Sequence, residues 1–221
     1  MQQITYNASS PDELALVNGA RFLGVTYLGR DSSNNNVFTV GIKGQEKSYE
    51  LLNVIEFNST RKRMTSVFRD LATDQIIVMC KGADSILFPL LKNADSSRVK
   101  QLVAQTITHM NDYARDGLRT LLIVEKTLSG AQYAEWNTGY IEAMNSINDR
   151  EAKVSRCADL LEIDFELVGS TALEDKLQDG VPETIEMIRN AGIKLWVLTG
   201  DKIETAINIA YACRLLDDNI N

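Results

Sequence analysis

Phe57-Asn-Ser-Thr-Arg-Lys-Arg-Met64 ends one apolar run in an aromatic ring, turns through polar and cationic residues, and opens the next run. Just downstream, Ile76 to Cys80 is a further apolar run, and it ends in Lys81-Gly-Ala83. Outward from these two stretches, Phe22 to Leu28, Val37 to Ile42, Tyr49 to Phe57, Met64 to Arg69 and Gln75 to Cys80 read as strands. Short polar turns join most of them, so the expectation is an antiparallel meander. Neighbouring strands that carry an aromatic ring and a lysine can build a nucleotide pocket, the ring stacking on a base and the ammonium meeting phosphate or ribose oxygens. The plainer alternative makes Phe57 a core residue and Arg61-Lys62-Arg63 a solvated turn.

Composition narrows the function classes. The 221 residues are 44% hydrophobic and 24% charged, which suits a folded chain of one large or two small domains. The formal charge of -7 disfavours a general nucleic-acid binder, whose phosphate contacts need excess Lys and Arg. Cys80, Cys157 and Cys213 are far apart and form no CxxC pair, so they read as buried free thiols in a reducing compartment. His109 is the only histidine, which argues against a His-based zinc site or a Ser/His/Asp triad. No signal peptide and no membrane-length apolar run is visible, so a soluble, cytosol-facing piece is expected.

Ser10-Pro-Asp-Glu13 is a helix start, with Ser10 as cap, Pro11 in the first turn and Glu13 completing a capping box. Asp84 to Leu91 reads as a short helix. Asp95 or Ser96 caps a longer one, whose apolar stripe runs from Val99 to Ala114, with His109 at its boundary. A strand from Leu118 to Val124 carries Arg119 near its start. Two helices, Ser129 to Met144 and Arg150 to Leu161, precede a strand from Phe165 to Leu173. From Val181 the pattern changes to helix (Pro182 to Asn190), Gly192, buried strand (Ile193 to Leu198), Thr199-Gly-Asp201 and helix (Ile203 to Leu215). That is a single unit of the parallel α/β kind, and such sheets need several.

Leu198-Thr-Gly-Asp201 is the second chemically informative stretch. A strand that ends in Thr-Gly before a helix gathers backbone N–H groups, a hydroxyl and a helix N-terminus, which together suit an anion. Asp201 fits there as a helix cap, a magnesium-side partner or an orienter of other groups; the plain alternative is an ordinary strand–turn–helix corner. No GxxxxGK[ST] loop, post-strand GxGxxG, HExxH or EF-hand loop is present.

In order, Ser10-Pro-Asp-Glu13, Phe57 to Met64, Lys81-Gly-Ala83, Asp116-Gly-Leu-Arg-Thr120, Leu173-Glu-Asp-Lys-Leu-Gln178 and Leu198-Thr-Gly-Asp-Lys202 closely resemble the phospholipid-transporting (type-IV) P-type ATPases. The resemblance covers essentially the whole chain. It implies an α+β fold: a twisted antiparallel sheet flanked by helices, the nucleotide-binding domain over residues 1–168, followed by a truncated α/β segment, part of the HAD-like phosphorylation domain, over residues 169–221. It also implies ATP contacts at Glu13 (adenine edge), Phe57 (stacking), Lys81 (deep in the pocket) and Arg119 (ribose and phosphate side). Thr199, Gly200 and Asp201 map onto the phosphorylation-domain end of the site, with Ser59 and Met64 as lesser pocket members and Arg61 to Arg63 flanking it.

The resemblance further implies ATP and Mg²⁺ as cofactors, and in an intact protein phospholipid, membrane and a small accessory subunit as partners, with no nucleic acid. The family's phosphorylated Asp-Lys-Thr-Gly-Thr and its magnesium-binding Gly-Asp-Gly-x-Asn-Asp are missing from this sequence. The chain is therefore expected to bind ATP and not to turn it over, with the metal ligands and the acceptor aspartate outside it. The alternative from another class is a non-catalytic interaction or regulatory module with the same fold.

Overall fold

The computed structural model describes residues 4–174, 176–200 and 203–217. Seven strands form one sheet in chain order. They are β1 (Val25–Arg30), β2 (Val37–Ile42), β3 (Gln45–Ile55), β4 (Arg63–Asp70), β5 (Ile76–Gly82), β6 (Arg119–Leu128) and β7 (Glu166–Leu173). The ladders from β1 to β6 are all antiparallel, as the short polar turns demand. The helices are α1 (Pro11–Phe22), α2 (Asp84–Leu87), α3 (Ser97–Arg115), α4 (Gly130–Met144), α5 (Arg150–Leu161), α6 (Val181–Asn190) and α7 (Ile203–Ala212). Among the described residues no helix is long and apolar enough to cross a membrane.

The chain divides into two compact units, Met1–Lys100 with Leu122–Gly169, and Gln101–Leu121 with Ser170–Asn221. In the first, the register sorts residues onto two faces. Thr65 pairs with Cys80 and Val67 with Val78, and all four are buried. Met64 pairs with Lys81 and Ser66 with Met79, so these residues share the opposite face. The buried face receives α4 and α5. Tyr133 donates its hydroxyl to Asn53 Oδ1 on β3 at 2.7 Å, and the Trp136 indole N–H donates to the Cys157 carbonyl at 2.8 Å. Ser129 and Gln132 start α4 with a reciprocal capping box.

Two local expectations fail. The segment Phe22 to Leu28 begins in helix, because α1 runs to Phe22 and Gly24 turns the chain with a φ of 89° before β1. Glu13 closes only half of a capping box. Ser10 accepts from the Glu13 amide at 3.2 Å, while the Glu13 carboxylate turns instead to Lys81.

In the second unit, the Asn208 amide on α7 donates to the Ala114 and Arg115 carbonyls, closing the C-terminal end of α3. Arg214 pairs with Glu183 and Glu186 of α6, and Arg189 with Asp217. The expected strand Ile193 to Leu198 is not a strand: residues 193–200 have no regular structure. Trp196 is 84% and Leu198 94% exposed. A β-prone run becomes a strand only when its N–H and C=O groups pair with a neighbouring strand, and among the described residues this run forms no such ladder.

Candidate functional site

The site is built on the β3–β4 turn and the end of β5. Phe57 lies on the turn and is 60% exposed, so it is not a core residue. The turn beneath it is tightly held. Asn58 accepts from the Arg61 amide at 2.7 Å through its side chain, and its carbonyl accepts from the Lys62 amide at 2.8 Å. Lys62 absorbs the reversal with a φ of 52°. The Ala83 amide then donates to the Lys62 carbonyl at 3.0 Å, which ties the turn to the residues just after Lys81.

Gly82 is required by space rather than by backbone angle. A Cβ there would lie 2.6 Å from the Lys62 carbonyl oxygen and 2.7 Å from Arg63 Cβ. No other residue lets β5 approach β4 this closely. Lys81 is therefore delivered beside Met64 on the unburied face, where its ammonium pairs with the Glu13 carboxylate of α1. Both side chains are partly solvated, 26% exposed for Lys81 and 38% for Glu13, so the pair is weak, worth about 0.2–1 kcal/mol.

Two of the three basic residues, Arg61 and Arg63, do not flank this face as expected, while Lys62 between them is exposed. Arg61 is buried, and both it and Arg63 bond to the Glu162 carboxylate at the end of α5, which is 0% exposed. Thr65 donates its hydroxyl to the same carboxylate at 2.5 Å, and Arg63 also reaches Asp159 at 2.7 Å. The alternation of β4 explains this placement: Arg63 and Thr65 project to the buried face and Met64 to the other. Glu162 was not anticipated from the sequence. Its only local signal is an acid directly after the apolar Leu160-Leu161 pair.

Of the expected site residues, the structure brings Glu13 and Lys81 into contact. Phe57 is linked to them through the Lys62–Ala83 bond and the β4–β5 ladder. Arg119, half-buried at the start of β6, belongs to the second unit. Thr199 and Gly200 are exposed in that unit, and Asp201 lies outside the described residues. A cleft of about 450 Å³ opens beside Glu13, lined by Tyr6, Val17 and Tyr27. Another of about 570 Å³ lies between the Phe57 turn and the α4–α5 pair, against Arg61 and Tyr140. Neither of these two clefts is lined by Phe57 or Lys81. Behind Lys81, burial pushes the Cys80 thiol up to about 11. Among the described residues no three His, Cys, Asp or Glu side chains gather to hold a metal ion.

The family profile described as P-type ATPase, cytoplasmic domain N, matches residues 3–180. A phospholipid-transporting ATPase of Schizosaccharomyces pombe is 46% identical over 220 residues, 99% of this chain and 15% of that protein. The phospholipid-transporting ATPase DRS2 of Saccharomyces cerevisiae is 47% identical over 218 residues, 99% of this chain and 16% of its own length. The phospholipid-transporting ATPase DNF1 of Chaetomium thermophilum is 44% identical over 219 residues, 99% and 14%. The chain thus spans about one-seventh of the length of these relatives.

Proposed function

Because the chain belongs to the P-type ATPases through their cytoplasmic domain N, we propose that it binds ATP for a phospholipid-translocating member of that family. One observation carries this reading. Phe57, an aromatic residue, is left 60% exposed on a turn fixed by several hydrogen bonds, next to a strand that carries a partly solvated lysine near its end. A large exposed ring is poorly placed for folding and well placed for stacking on a base.

In this reading Phe57 stacks on adenine, the Glu13 carboxylate faces the adenine edge, and Lys81 meets ligand oxygens once its weak pair with Glu13 opens. Arg119 serves the ribose and phosphate side. Thr199, Gly200 and Asp201 belong to the phosphorylation-domain end of the site, within a division at 1–168 and 169–221. The residues present fit a base and its oxygens. When bound, Mg²⁺ would supply charge neutralisation at the phosphates, and we assign it no ligand in this chain. In the whole protein, ATP held here would pass its γ-phosphoryl group to an aspartate, and the cycle would move phospholipid towards the cytosolic leaflet. The chain alone would bind ATP without hydrolysing it.

Stacking and one or two charged contacts supply about 4–5 kcal/mol, a dissociation constant of about 0.1–1 mM. ATP titration followed by amide NMR shifts tests this. Phe57→Ala should weaken binding about 5- to 150-fold, the range seen when a base loses its aromatic platform. Its stability should stay within about 0.5 kcal/mol of the parent, as for other exposed positions. Lys81→Ala should also lose affinity while staying folded. Equal ATP affinity in Phe57→Ala and the parent would refute the stacking role, and no ATP binding by the parent would favour the interaction module.

A further inference from the structure

We propose that Glu162 is a positioning residue for the nucleotide site: without touching the ligand, it holds the Phe57 turn in its binding conformation through Arg61. The proposal rests on the ATP-binding reading above and extends it to a residue on the other face of the sheet.

The argument starts from charge and burial. Glu162 is fully buried, and a buried carboxylate persists only where cations and donors surround it. It has three: the Arg61 guanidinium, the Arg63 Nε–H at 2.6 Å and the Thr65 hydroxyl at 2.5 Å. Arg63 and Thr65 belong to β4, which its ladders to β3 and β5 already fix. Arg61 is different, because it lies in the turn itself. Its own contacts near the turn are the amide bond to Asn58, a long 3.5 Å contact from Nη1 to the Glu56 carbonyl, and a 3.4 Å bond that its carbonyl accepts from Arg63 Nη1. The bond to Glu162 is therefore the charged tie from the turn to α5, beside the Ala83–Lys62 bond that ties it to β5. That anchorage is 101 residues away along the chain, at the last turn of α5.

An exposed ring contributes to binding only if its orientation is fixed in advance, since ordering it at the moment of binding lowers affinity. With Glu162 in place, the turn is held at Asn58 by its own side chain, at Lys62 by the Ala83 amide and at Arg61 by the buried carboxylate. Without it, Arg61 is a buried cation with one anion fewer, and the turn must rearrange to solvate it.

The test is a double-mutant cycle on the 221-residue chain, with ATP affinity from NMR titration and foldedness from thermal melts at the titration pH. Glu162→Gln keeps the shape and removes the charge. It should weaken ATP binding at least threefold in the parent and less than twofold in the Phe57→Ala background. Inorganic tripolyphosphate, which lacks a base, should bind Glu162→Gln and the parent equally.

If Glu162→Gln does not fold, Arg61→Lys provides the same cycle, because it keeps the buried charge and loses the two-armed hold on the turn. Equal losses in both backgrounds would overturn the proposal, since Glu162 would then act independently of the ring. So would an equal loss for tripolyphosphate, which would indicate general destabilisation. Failure of Phe57→Ala itself to weaken ATP binding would overturn the underlying reading instead, and the two failures are distinguishable in the same data.

Discussion

Gly82→Ala should be the most damaging one-methyl change around the Phe57 turn. The added Cβ would sit 2.6 Å from the Lys62 carbonyl oxygen, 2.7 Å from Arg63 Cβ and 2.9 Å from Arg63 Cα. Ordinary contact begins near 3.4 Å, so the closest pair is short by about 0.8 Å, and the atoms in the way are backbone or next to it. They cannot swing aside as a side-chain end would. The strands must separate locally, which costs about 1–3 kcal/mol as overpacking. The 3.0 Å bond from the Ala83 amide to Lys62 must also stretch, at about 0.5–1.5 kcal/mol.

The sum is about 1.5–4.5 kcal/mol, a large part of a typical stability of about 5–15 kcal/mol. In urea, with a slope near 2 kcal/mol/M, the unfolding midpoint should fall by about 1–2 M with the slope unchanged. Gly139→Ala is the control: that glycine lies inside α4 with nothing within 4 Å of an added Cβ, so the change should stabilise by about 0.5–1 kcal/mol. Since the same separation loosens the link between the Phe57 turn and Lys81, Gly82→Ala should also bind ATP more weakly at urea-free conditions where it remains folded. A Gly82→Ala midpoint within about 0.3 M of the parent would refute the close-approach argument.

Ser10 and Glu13 should separate stability from affinity. Ser10→Ala removes the acceptor of the Glu13 amide and should cost about 0.5–2 kcal/mol in thermal or urea melts. Glu13→Ala keeps that amide and should cost under about 1 kcal/mol, yet change ATP affinity; the reverse ranking would make Glu13 a capping residue only. Cys80 should give a pH signature. Its buried thiol holds its proton up to about 11, whereas the unfolded thiol releases it near 9.0. The folded state therefore binds more protons between those values, so this contribution is complete below pH 9 and is lost as pH rises to 11, about 2–3 kcal/mol in all. Urea stabilities of the parent and Cys80→Ser, compared across that window, should converge by this amount, and parallel curves would exclude it.

The sheet was legible because its information is local. Alternating apolar residues and short polar turns along residues 37–80 specify neighbours that are also adjacent in sequence. The Ser10 cap was legible for the same reason. What could not be read depends on distant partners. The run at Arg61 to Arg63 looks like a solvated turn or a pocket flank until Glu162 is seen to draw Arg61 and Arg63 inward, and no periodicity connects positions so far apart. Glu13 satisfied a capping pattern, yet its carboxylate turned to a lysine on β5. Ile193 to Leu198 has the composition of a buried strand, but composition specifies a preference and not a neighbour. At the candidate site, the sequence singled out Phe57 and Lys81 by residue type, while the geometry that leaves one exposed and the other paired could not be read from it.

The internal neutralisation of Arg61 and Arg63 has a kinetic consequence. Their charge is cancelled by Glu162 and Asp159 before it reaches solvent, and that of Lys81 is offset by Glu13. Of the most cationic stretch of the chain, only the exposed Lys62 then faces solvent without a charge cancelled in this way, on a molecule of net charge -7. A polyanion diffusing towards it is repelled at a distance and attracted only at contact. Added monovalent salt, within about a Debye length of 10 Å at 0.1 M, would screen the repulsion more than the short-range attraction. Encounter with ATP should then quicken as ionic strength rises, the opposite of an electrostatically steered site.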